Sequence, residues 1–325
     1  MRKISPSVSV IIPIYKAEKY IEKCVRSLFG QTLSDIEFIF VDDHSPDKSI
    51  SVLKKILEAF PSRKSQVKII SLLENKGLAN ARTVGLMHAT GLYVAHCDSD
   101  DWVDLDLYDK MFSLAQKENS DIVVCDVLNE YKDKRELKSY DNIPRNPRSA
   151  ITNIHKNFFD MYNCNKLVRR SVYIENKILP FSGINMWEDN GLMYRIFYYS
   201  NKLSKINDSL YHYNRMNENA LTYTYGQEQT KQMIECAERL TDFFRNDESF
   251  LNTVRMIQFC AKVNLITDDC GRVSKFKQLF PGVEDYANQI DKRAFSIKGR
   301  IRRFFVTHHM TYFFVLLFKL KNLIS

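Results

Sequence analysis

The chain has few glycines and prolines, and it lacks the long uninterrupted apolar runs of membrane proteins. Its 325 residues include ten Gly and eight Pro, without repeats or low-complexity tracts, which excludes fibrous and low-complexity proteins. The first apolar run, residues 8–12, stops at Pro13, so the start lacks the hydrophobic segment of a signal peptide and we expect no export. A hydrophobic fraction of 45% beside 26% charged residues is that of a folded protein rather than of a disordered or polytopic membrane protein.

The cysteines lack the paired spacing of a metal site or a redox motif. The seven cysteines are odd in number, form no CxxC motif and mostly lie within apolar runs. This pattern is typical of reduced structural thiols, so we expect a cytoplasmic protein.

The sequence before residue 291 also lacks an excess of basic residues. The formal net charge is +8, of which residues 291–325 contribute +7 and all residues before them contribute +1. Because the basicity belongs to the C-terminal tail alone, we expect no nucleic acid among the partners.

Over residues 8–127, short β-branched runs alternate with longer helix-like stretches. This alternation predicts an α/β protein with a mostly parallel, doubly wound sheet. The predicted strands are residues 8–12, 36–41, 67–72, 93–97 and 122–127. The predicted helices are residues 17–28, 48–60, 78–89 and 107–119. In such a sheet the ligand crevice lies at the carboxyl ends of the strands, where this sequence places polar residues.

The alternation ends after residue 127. Residues 132–149 are charged and contain two prolines, so they are predicted to form a loop or a mobile cover. Beyond them we expect a helix over residues 187–200, a short strand over 210–213 and several helices over 226–290.

Four consecutive residues after the fourth predicted strand hold three carboxylates. This stretch, Asp98-Ser99-Asp100-Asp101, brings together charges that repel one another. A hard divalent cation such as Mg²⁺ or Mn²⁺ relieves the repulsion, and phosphate groups of a ligand complete its coordination. The stretch therefore predicts a metal site. The alternative is a solvated acidic turn that caps the next helix, a role that Asp104 or Asp106 would serve equally well.

Two further turns are predicted to lie at the same edge of the sheet. Asp42-Asp43-His44-Ser45 offers a carboxylate to a nucleobase or ribose, or else caps the following helix. Asn75-Lys76-Gly77 permits a tight turn and close approach of a ligand. Lys76 and Arg82 are candidates to meet a phosphate, although each would equally be a solvated helix residue.

An acidic pair opens the helix predicted over residues 187–200. The helix dipole favours the ionised form of Glu188 and Asp189, which suits a general base acting on a hydroxyl, and ordinary helix capping is the alternative. Trp187 precedes the pair and is a candidate to stack on a sugar ring of the acceptor, or to be a core residue.

Five stretches of the chain form a series whose order and spacing are specific as a set. They are Val8-Ser9-Val10-Ile11-Ile12-Pro13-Ile14-Tyr15, Val41-Asp42-Asp43, Asn75-Lys76-Gly77-Leu78-Ala79-Asn80-Ala81-Arg82, Asp98-Ser99-Asp100-Asp101 and Glu188-Asp189. Over roughly residues 5–215 this series closely resembles glycosyltransferase family 2. The resemblance implies the GT-A nucleotide-diphospho-sugar transferase fold, a nucleotide-sugar donor with UDP as the first choice, Mn²⁺ or Mg²⁺, and inversion at the anomeric carbon. It further implies a glycan or lipid-linked acceptor in the biosynthesis of a bacterial cell-surface polysaccharide, whether capsule, exopolysaccharide or lipopolysaccharide.

Carried over by position, the resemblance assigns nucleotide-sugar binding to a group of residues at the strand ends. They are Pro13, Tyr15, Asp43, Asn75, Gly77, Arg82, Asp98 and Ser99. Pro13 and Asp43 would line the base and ribose pocket, and Asp98 would meet the ribose or a metal-bound water.

The metal and catalytic positions follow from two of the motifs. Asp100 falls on the metal ligand of the DxD motif, with Asp98 as a second ligand and Asp101 as a helper. His212 lies where some relatives supply a further metal ligand, although a histidine in a short aromatic strand is more often a packing residue. Asp189 falls on the catalytic base of the ED motif, with Glu188 beside it.

Two positions depart from the family pattern. His44 stands where many relatives have glycine, and Thr83 stands where asparagine usually follows the arginine. Neither departure removes a group that the chemistry needs. We expect a catalytic domain over residues 1–220, with a donor-binding half at about 5–127 and an acceptor half at 128–220, followed by a helical C-terminal region over 221–325.

The basic tail leads into residues 304–324, which are rich in Phe and Leu. Polar residues at His308, His309, Thr311, Lys319 and Lys321 make this stretch too broken for a transmembrane helix. Residues 292–324 fit a peripheral helix on the inner face of an anionic membrane, where a lipid-linked acceptor would be presented. Packing on the chain's own core or on a second subunit, as in a homodimer, fits equally well.

Two rival functions remain from the sequence. An aspartate-dependent phosphatase also uses a DxD after a strand, but its motif usually follows the first strand, which here ends in Pro13 without a carboxylate. A non-catalytic nucleotide-sugar-binding scaffold is the second rival, against which the joint presence of Asp43, Asp98, Asp100 and Asp189 argues.

Overall fold

The structure, a computed structural model, describes residues 5–218, 220–221, 226–268, 278–295, 297–308 and 310. In chain order its strands are β1 (Val8–Ile14), β2 (Ile36–Asp42), β3 (Val67–Ser71), β4 (Tyr93–His96), β5 (Trp102–Val103), β6 (Ile122–Val124), β7 (Val127–Glu130), β8 (Arg135–Lys138), β9 (Lys166–Arg169), β10 (Leu203–Lys205) and β11 (Tyr211–Asn214). Its helices are α1 (Ile21–Phe29), α2 (Ser49–Glu58), α3 (Leu78–His88), α4 (Leu107–Glu118), α5 (Pro147–Thr152), α6 (Arg170–Glu175), α7 (Glu188–Tyr199), α8 (Gln227–Phe244), α9 (Leu251–Asp268) and α10 (Ile297–Thr307). Short 3₁₀ helices span Pro61–Gln66, Glu248–Phe250, Val283–Gln289 and Lys292–Ala294.

A seven-stranded central sheet carries the fold, in the order β10-β6-β9-β4-β1-β2-β3. Neighbouring strands run parallel except at β9, which is antiparallel to both β4 and β6. The predicted α/β class with a mostly parallel sheet is confirmed. The carboxyl ends of β1, β2, β3 and β4 therefore lie along one edge, where polar turns follow each strand.

The core forms because the central strands are apolar on both faces and helices cover them. Every residue of β1 and β2 is buried, as expected for inner strands of a doubly wound sheet. Helix α1 buries Ile21, Cys24, Val25 and Leu28, whose spacing of three and four places them on one face. The helix was predicted from residue 17, but residues 18–20 form a turn and the helix begins at Ile21.

The stretch predicted as one strand over residues 122–127 is two strands that belong to different sheets. β6 pairs in the central sheet, whereas β7 pairs with β11 and β8 in a four-stranded second sheet of order β5-β11-β7-β8. Asp126 turns the chain between them, and its carboxylate accepts a hydrogen bond from the backbone N–H of Tyr140. An apolar run alone does not show where a strand changes sheets.

The stretch predicted as a loop over residues 132–149 contains regular structure. It includes β8, which pairs antiparallel with β7, and the start of α5 at Pro147. β8 is an edge strand whose residues are mostly exposed, so it tolerates the charged residues that suggested a loop. The prediction of an unstructured cover is wrong for this part of the stretch.

Helices form most of the described part of the C-terminal region, as predicted. α8 and α9 pack together and join α7 through a buried aromatic cluster that includes Tyr198, Phe244 and Phe250. Among the described residues, no helix is long and apolar enough to cross a membrane. Of the tail residues considered above, His309, Thr311, Lys319 and Lys321 lie outside the described residues.

Candidate active site

The polar turns at the carboxyl ends of the central strands meet at one cavity of about 780 Å³. It lies between the central sheet, the start of α7 and the segment that follows β11. The cavity wall contains almost every residue that the sequence singled out: Pro13, Tyr15, Asp43, Asn75, Gly77, Arg82, Asp98, Ser99, Asp100, Trp187, Glu188 and Asp189. Side chains up to 176 positions apart in sequence are thus brought to one place.

Asp43, at the end of β2, holds the turn that follows β3. Its two carboxylate oxygens accept hydrogen bonds from the backbone N–H groups of Lys76 and Gly77, each at 2.8 Å. Burial raises the pKa of Asp43, and the two N–H donors partly offset this effect. The backbone of the next residue, His44, has a φ of 54°, a conformation that favours glycine and accounts for the glycine of many relatives.

The same turn requires glycine at position 77. Gly77 has a φ of 86° and a ψ of 170°, a region that only glycine occupies readily. A Cβ atom here would lie 2.4 Å from the side-chain nitrogen of Asn185. Asn185 in turn accepts a hydrogen bond from the N–H of Ala79, at the start of α3, with 3.0 Å between the atoms. Close packing of the turn against Asn185 therefore fixes this wall of the cavity.

The acidic turn after β4 contains one buried carboxylate and two half-buried carboxylates. Asp101 is buried, and its oxygens accept hydrogen bonds from the Tyr211 hydroxyl at 2.6 Å and the Asn214 N–H at 2.7 Å. It therefore anchors the second sheet to the turn and does not line the cavity, which corrects the expectation that it assists metal binding. Asp98 and Asp100 do line the cavity.

Asp100 is held by a residue that the motif analysis missed. Its Oδ2 accepts a hydrogen bond from the side-chain amide of Asn217 at 2.7 Å. Burial, with a smaller contribution from the charge of Asp98, raises the pKa of Asp100 to about 6. A bound cation would relieve the repulsion that Asp98 exerts on Asp100.

The carboxylates fit a divalent metal only with help from a ligand. Within the described part of the chain, no three His, Cys, Asp or Glu side chains are grouped so that they could hold a metal by themselves. Mg²⁺ and Mn²⁺ are commonly held by one or two carboxylates together with substrate phosphates. Asp100 and Asp98, both on the cavity wall, offer that donor set.

Arg82, on α3, is part of the cavity wall but is almost fully buried. Its side chain is only 2% exposed. Nη2 donates to Asp98 Oδ1 at 2.6 Å, and Nε lies 2.9 Å from Glu188 Oε1. Because both carboxylates already engage the guanidinium and solvent barely reaches it, the predicted contact between Arg82 and a donor phosphate is not supported.

The acidic pair opens α7 as predicted, but its two members differ. Glu188 is buried, pairs with Arg82 and also accepts a hydrogen bond from the side-chain amide of Asn163 at 3.2 Å. Asp189 is less buried, and its Oδ1 accepts from the N–H and the side-chain amide of Asn190. Burial raises the pKa of both carboxyl groups, and the charge of Arg82 opposes the rise. Trp187 caps the helix with a φ of 65°, an uncommon conformation for a bulky residue.

His212, a further predicted site residue, does not line the cavity. Its Nδ1 lies 2.7 Å from Glu130 Oε1, its Nε2 lies 3.2 Å from Asp104 Oδ1, and its ring stacks on Trp102. Side chains alternate along β11, so His212 faces away from the side on which Tyr211 and Tyr213 approach the acidic turn and the cavity. The predicted role as a metal ligand is wrong for this reason.

Several further residues of the cavity wall carry no motif. They are Tyr162, Asn163, Asn185, Tyr213, Arg215 and Asn217. All lie after residue 150, where the strand-helix alternation has ended, and single amides or tyrosines have no spacing that marks them. Only the fold brings them to the cavity.

Comparison with known proteins agrees with this geometry. Residues 9–176 match the family model described as glycosyl transferase family 2. Glycosyltransferase EpsJ of Bacillus subtilis (strain 168) is 31% identical over 224 residues, which cover 67% of this chain and 63% of that protein. Glycosyltransferase GlyG of Streptococcus pneumoniae serotype 4 is 28% identical over 225 residues, covering 65% of this chain and 72% of that protein. The chain thus spans slightly less than two thirds of the length of EpsJ.

Solved structures share the fold at low sequence identity. S. aureus TarS 1-349 in complex with UDP-GlcNAc superposes with a TM-score of 0.64 at 17% identity, covering 94% of this chain and 90% of that one. Mannosyltransferase PcManGT from Pyrobaculum calidifontis, in complex with GDP-Man and Mn²⁺, gives a TM-score of 0.58 at 15% identity, covering 99% and 88%. The predicted GT-A fold is confirmed, and the family match covers more than half of the chain. The chain belongs to glycosyl transferase family 2.

Proposed function

We propose that this protein transfers a sugar from a nucleotide-sugar donor to an acceptor hydroxyl, with inversion at the anomeric carbon. The observation that carries the proposal is the joint presence of Asp43, Asp98, Asp100 and Asp189 on the wall of one cavity. A donor-binding turn, a DxD carboxylate pair and a carboxylate at a helix N-terminus are the parts that such a transfer requires.

Asp189 is the proposed general base. The less buried of the two ED carboxylates, it accepts a proton from the acceptor hydroxyl as that oxygen attacks the anomeric carbon. Among the described residues no hydrogen bond goes to its Oδ2, while Asn190 orients the group through Oδ1. An acceptor held beside Asp189 and opposite the leaving diphosphate is positioned for single displacement, which inverts the configuration.

The donor end of the cavity lies at Pro13, Asp43 and Gly77. Asp43 and the turn that it holds form the cavity wall next to β1, so we propose that the nucleoside of the donor binds there. Asp100 and Asp98 would hold a divalent cation, Mn²⁺ or Mg²⁺, which supplies positive charge to the diphosphate as it leaves. The Mn²⁺ in the PcManGT complex supports this assignment.

The ligands bound in two structurally similar proteins support the proposed class of donor. UDP-GlcNAc occupies TarS and GDP-Man occupies PcManGT, so a nucleoside diphosphate sugar is the common chemistry. A UDP-sugar remains the first choice by resemblance. The acceptor is proposed to be a glycan or a lipid-linked glycan in the synthesis of a cell-surface polysaccharide, on the cytoplasmic side of the membrane.

Peripheral membrane contact is the second part of the proposal. Three apolar side chains of α10, those of Ile297, Ile301 and Phe304, are 78%, 51% and 51% exposed, and their spacing places them on one face. Lys292 and Arg300 are exposed nearby. An apolar stripe beside cationic side chains suits the interface of an anionic membrane.

Thermal denaturation in the presence of a panel of sugar nucleotides, with and without Mn²⁺, tests the proposed activity. We expect one nucleotide class to raise the melting temperature in a Mn²⁺-dependent manner, and the matching sugar nucleotide to be turned over with release of the nucleoside diphosphate. Release of phosphate from p-nitrophenyl phosphate would instead support a phosphatase. Tight nucleotide binding without hydrolysis or transfer would support a scaffold.

A further inference from the structure

Arg82 joins two parts of the active site that come from distant stretches of the chain. Asp98 follows β4 in the donor-binding half, and Glu188 opens α7, ninety positions later. The guanidinium reaches Asp98 with Nη2 and Glu188 with Nε, at 2.6 and 2.9 Å. One side chain thus spans the gap between the DxD turn and the ED helix.

Arg82 and Glu188 line the cavity but are almost fully buried. Arg82 is 2% exposed and Glu188 is 4% exposed. Arg82 Nε, Arg82 Nη1 and Glu188 Oε2 are buried atoms without a hydrogen-bond partner among the described residues, so the contact between Nε and Glu188 Oε1 is an ion pair rather than a hydrogen bond. A buried charge is tolerated only when an opposite charge lies beside it, so Arg82 and its acidic partners depend on one another to stay in place.

The neighbours of Glu188 extend the connection toward the acceptor side. The Asn163 side chain donates to Glu188 Oε1, and Asn163 lies in the segment of residues 158–164 that lines the cavity. Asp189 is the next residue on the first turn of α7. A rotation of that turn would move Asp189 relative to Asp98. The contacts of Arg82 with Glu188 and Asp98 oppose this rotation, because they fix the distance between the two motifs.

We propose that Arg82 is a positioning residue, which sets the place of the base Asp189 relative to the donor turn at Asp98 by holding Glu188. This inference rests on the proposed function, because it concerns the geometry of the same reaction. It differs from a phosphate-binding role, in which Arg82 would touch the donor directly. A planar guanidinium can hold two carboxylates at once, whereas a lysine ammonium at this depth cannot reproduce both contacts.

A double-mutant cycle tests the proposal. We compare kcat for wild type, Arg82→Gln, Glu188→Gln and the double variant, with UDP and Mn²⁺ binding measured by calorimetry on each. Each single variant is expected to lower kcat by about 100-fold, since a misplacement of about 1 Å costs this much, while changing the Kd for UDP by only a few-fold. The double variant is expected to lose little more than either single variant, because both substitutions break the same connection.

Folding of the variants is controlled in two ways. Arg82→Lys keeps a positive charge beside Glu188 and is expected to stay folded by circular dichroism, yet to lose kcat without losing UDP binding. Arg26→Gln breaks an exposed arginine-glutamate pair, with Glu22, and is expected to leave kcat unchanged.

Three outcomes would overturn the proposal. The first is a loss of kcat in the double variant that equals the product of the losses in the two single variants. The second is wild-type kcat in Arg82→Lys. The third is loss of UDP binding in Arg82→Lys, because this loss would indicate that Arg82 contacts the donor directly. All three outcomes can be measured only if the wild-type protein is active. A wild type that turns over no sugar nucleotide would overturn the proposed function, and this inference with it.

Discussion

The environment of Asp189 determines whether this carboxylate can act as a base. It lies at the positive end of α7, on the cavity wall, with the Asn190 amide groups on one oxygen. Asp189→Asn keeps the shape and the hydrogen-bonding capacity but cannot accept a proton. We expect kcat to fall by about 100-fold or more, with donor binding retained. Steady-state kinetics together with calorimetry of the donor measures both quantities.

Asp208→Asn is the matched control for this substitution. Asp208 is an exposed carboxylate that pairs with Lys110 outside the cavity, so its neutralisation should leave kcat unchanged. Wild-type turnover by Asp189→Asn would show that another group is the base.

The pH dependence of kcat follows from the burial of the same carboxylate. Burial raises the pKa of Asp189 above its ordinary value of 3.8. Because the base must be ionised, kcat should decline as pH falls through this raised pKa and should be constant above it. A pH–rate profile measured with donor and acceptor saturating reports the midpoint. A profile that stays flat down to pH 4 would be inconsistent with a buried carboxylate as the base.

At the scale of single residues, sequence motifs identify groups that chemistry requires but not their accessibility. Asp43, Asp100 and Asp189 line the cavity as the motif series implied. Arg82 belongs to the same series, yet it is buried between two acids. Its burial depends on where Glu188 lies in space, which no local pattern of the sequence contains.

The turn between β3 and α3 permits a test at the scale of one element. Gly77→Ala introduces strain at a φ of 86° and a Cβ that meets Asn185 at 2.4 Å. We expect the free energy of unfolding to fall by about 1–3 kcal/mol, and the Kd for UDP to rise because the turn forms the donor wall. Urea denaturation and calorimetry measure these changes.

Gly183→Ala separates the effect of backbone strain at a positive φ from the effect of contact with Asn185. Gly183 also has a positive φ, of 80°, but no atom lies within 4 Å of an added Cβ. This variant should therefore lose less stability than Gly77→Ala and keep its affinity for UDP. Equal losses in the two variants would show that contact with Asn185 does not matter.

At the scale of elements, hydrophobic patterns predicted the inner strands. They did not show where the chain passes from one sheet to the other. β1 and β2 are buried along their whole length, so their apolar runs had one interpretation. The run over residues 122–127 contains two strands that pair in different sheets, and its pattern does not break between them. β8 was missed because an edge strand tolerates charged residues.

At the scale of the whole molecule, the net positive charge is concentrated at the C-terminal end, where α10 also exposes an apolar stripe. The variant Ile297→Ser, Ile301→Ser and Phe304→Ser removes the stripe on α10 without changing charge. We expect it to reduce co-sedimentation with phosphatidylglycerol vesicles by more than about tenfold, because each side chain loses apolar burial in the interface.

Leu73→Ser is the matched control for the vesicle experiment. Leu73 is 96% exposed and follows β3, so it does not belong to the basic C-terminal segment. It should sediment like wild type, and neither protein should sediment with phosphatidylcholine vesicles. Equal sedimentation of the wild type and the triple variant would exclude α10 as the contact, and a dimer lost in the triple variant would assign the stripe to a second subunit.

At the scale of the molecule, the family resemblance predicted the fold and the place of the cavity. The resemblance covers residues that line one edge of the sheet, and parallel strands bring such residues together in any doubly wound fold. The helical C-terminal region has no comparable motif. The part of the acceptor side formed by Tyr162, Tyr213 and Arg215 follows only from the structure.

The central claim is that one cavity binds a nucleoside diphosphate through a metal held at Asp100. Calorimetric titration of UDP into the wild type and into Asp100→Ala, each with and without Mn²⁺, tests it most directly. We predict that Mn²⁺ tightens UDP binding to the wild type by about tenfold or more, and that Asp100→Ala abolishes this gain. Equal UDP affinity in all four titrations, or an undiminished Mn²⁺ effect in Asp100→Ala, would contradict the claim.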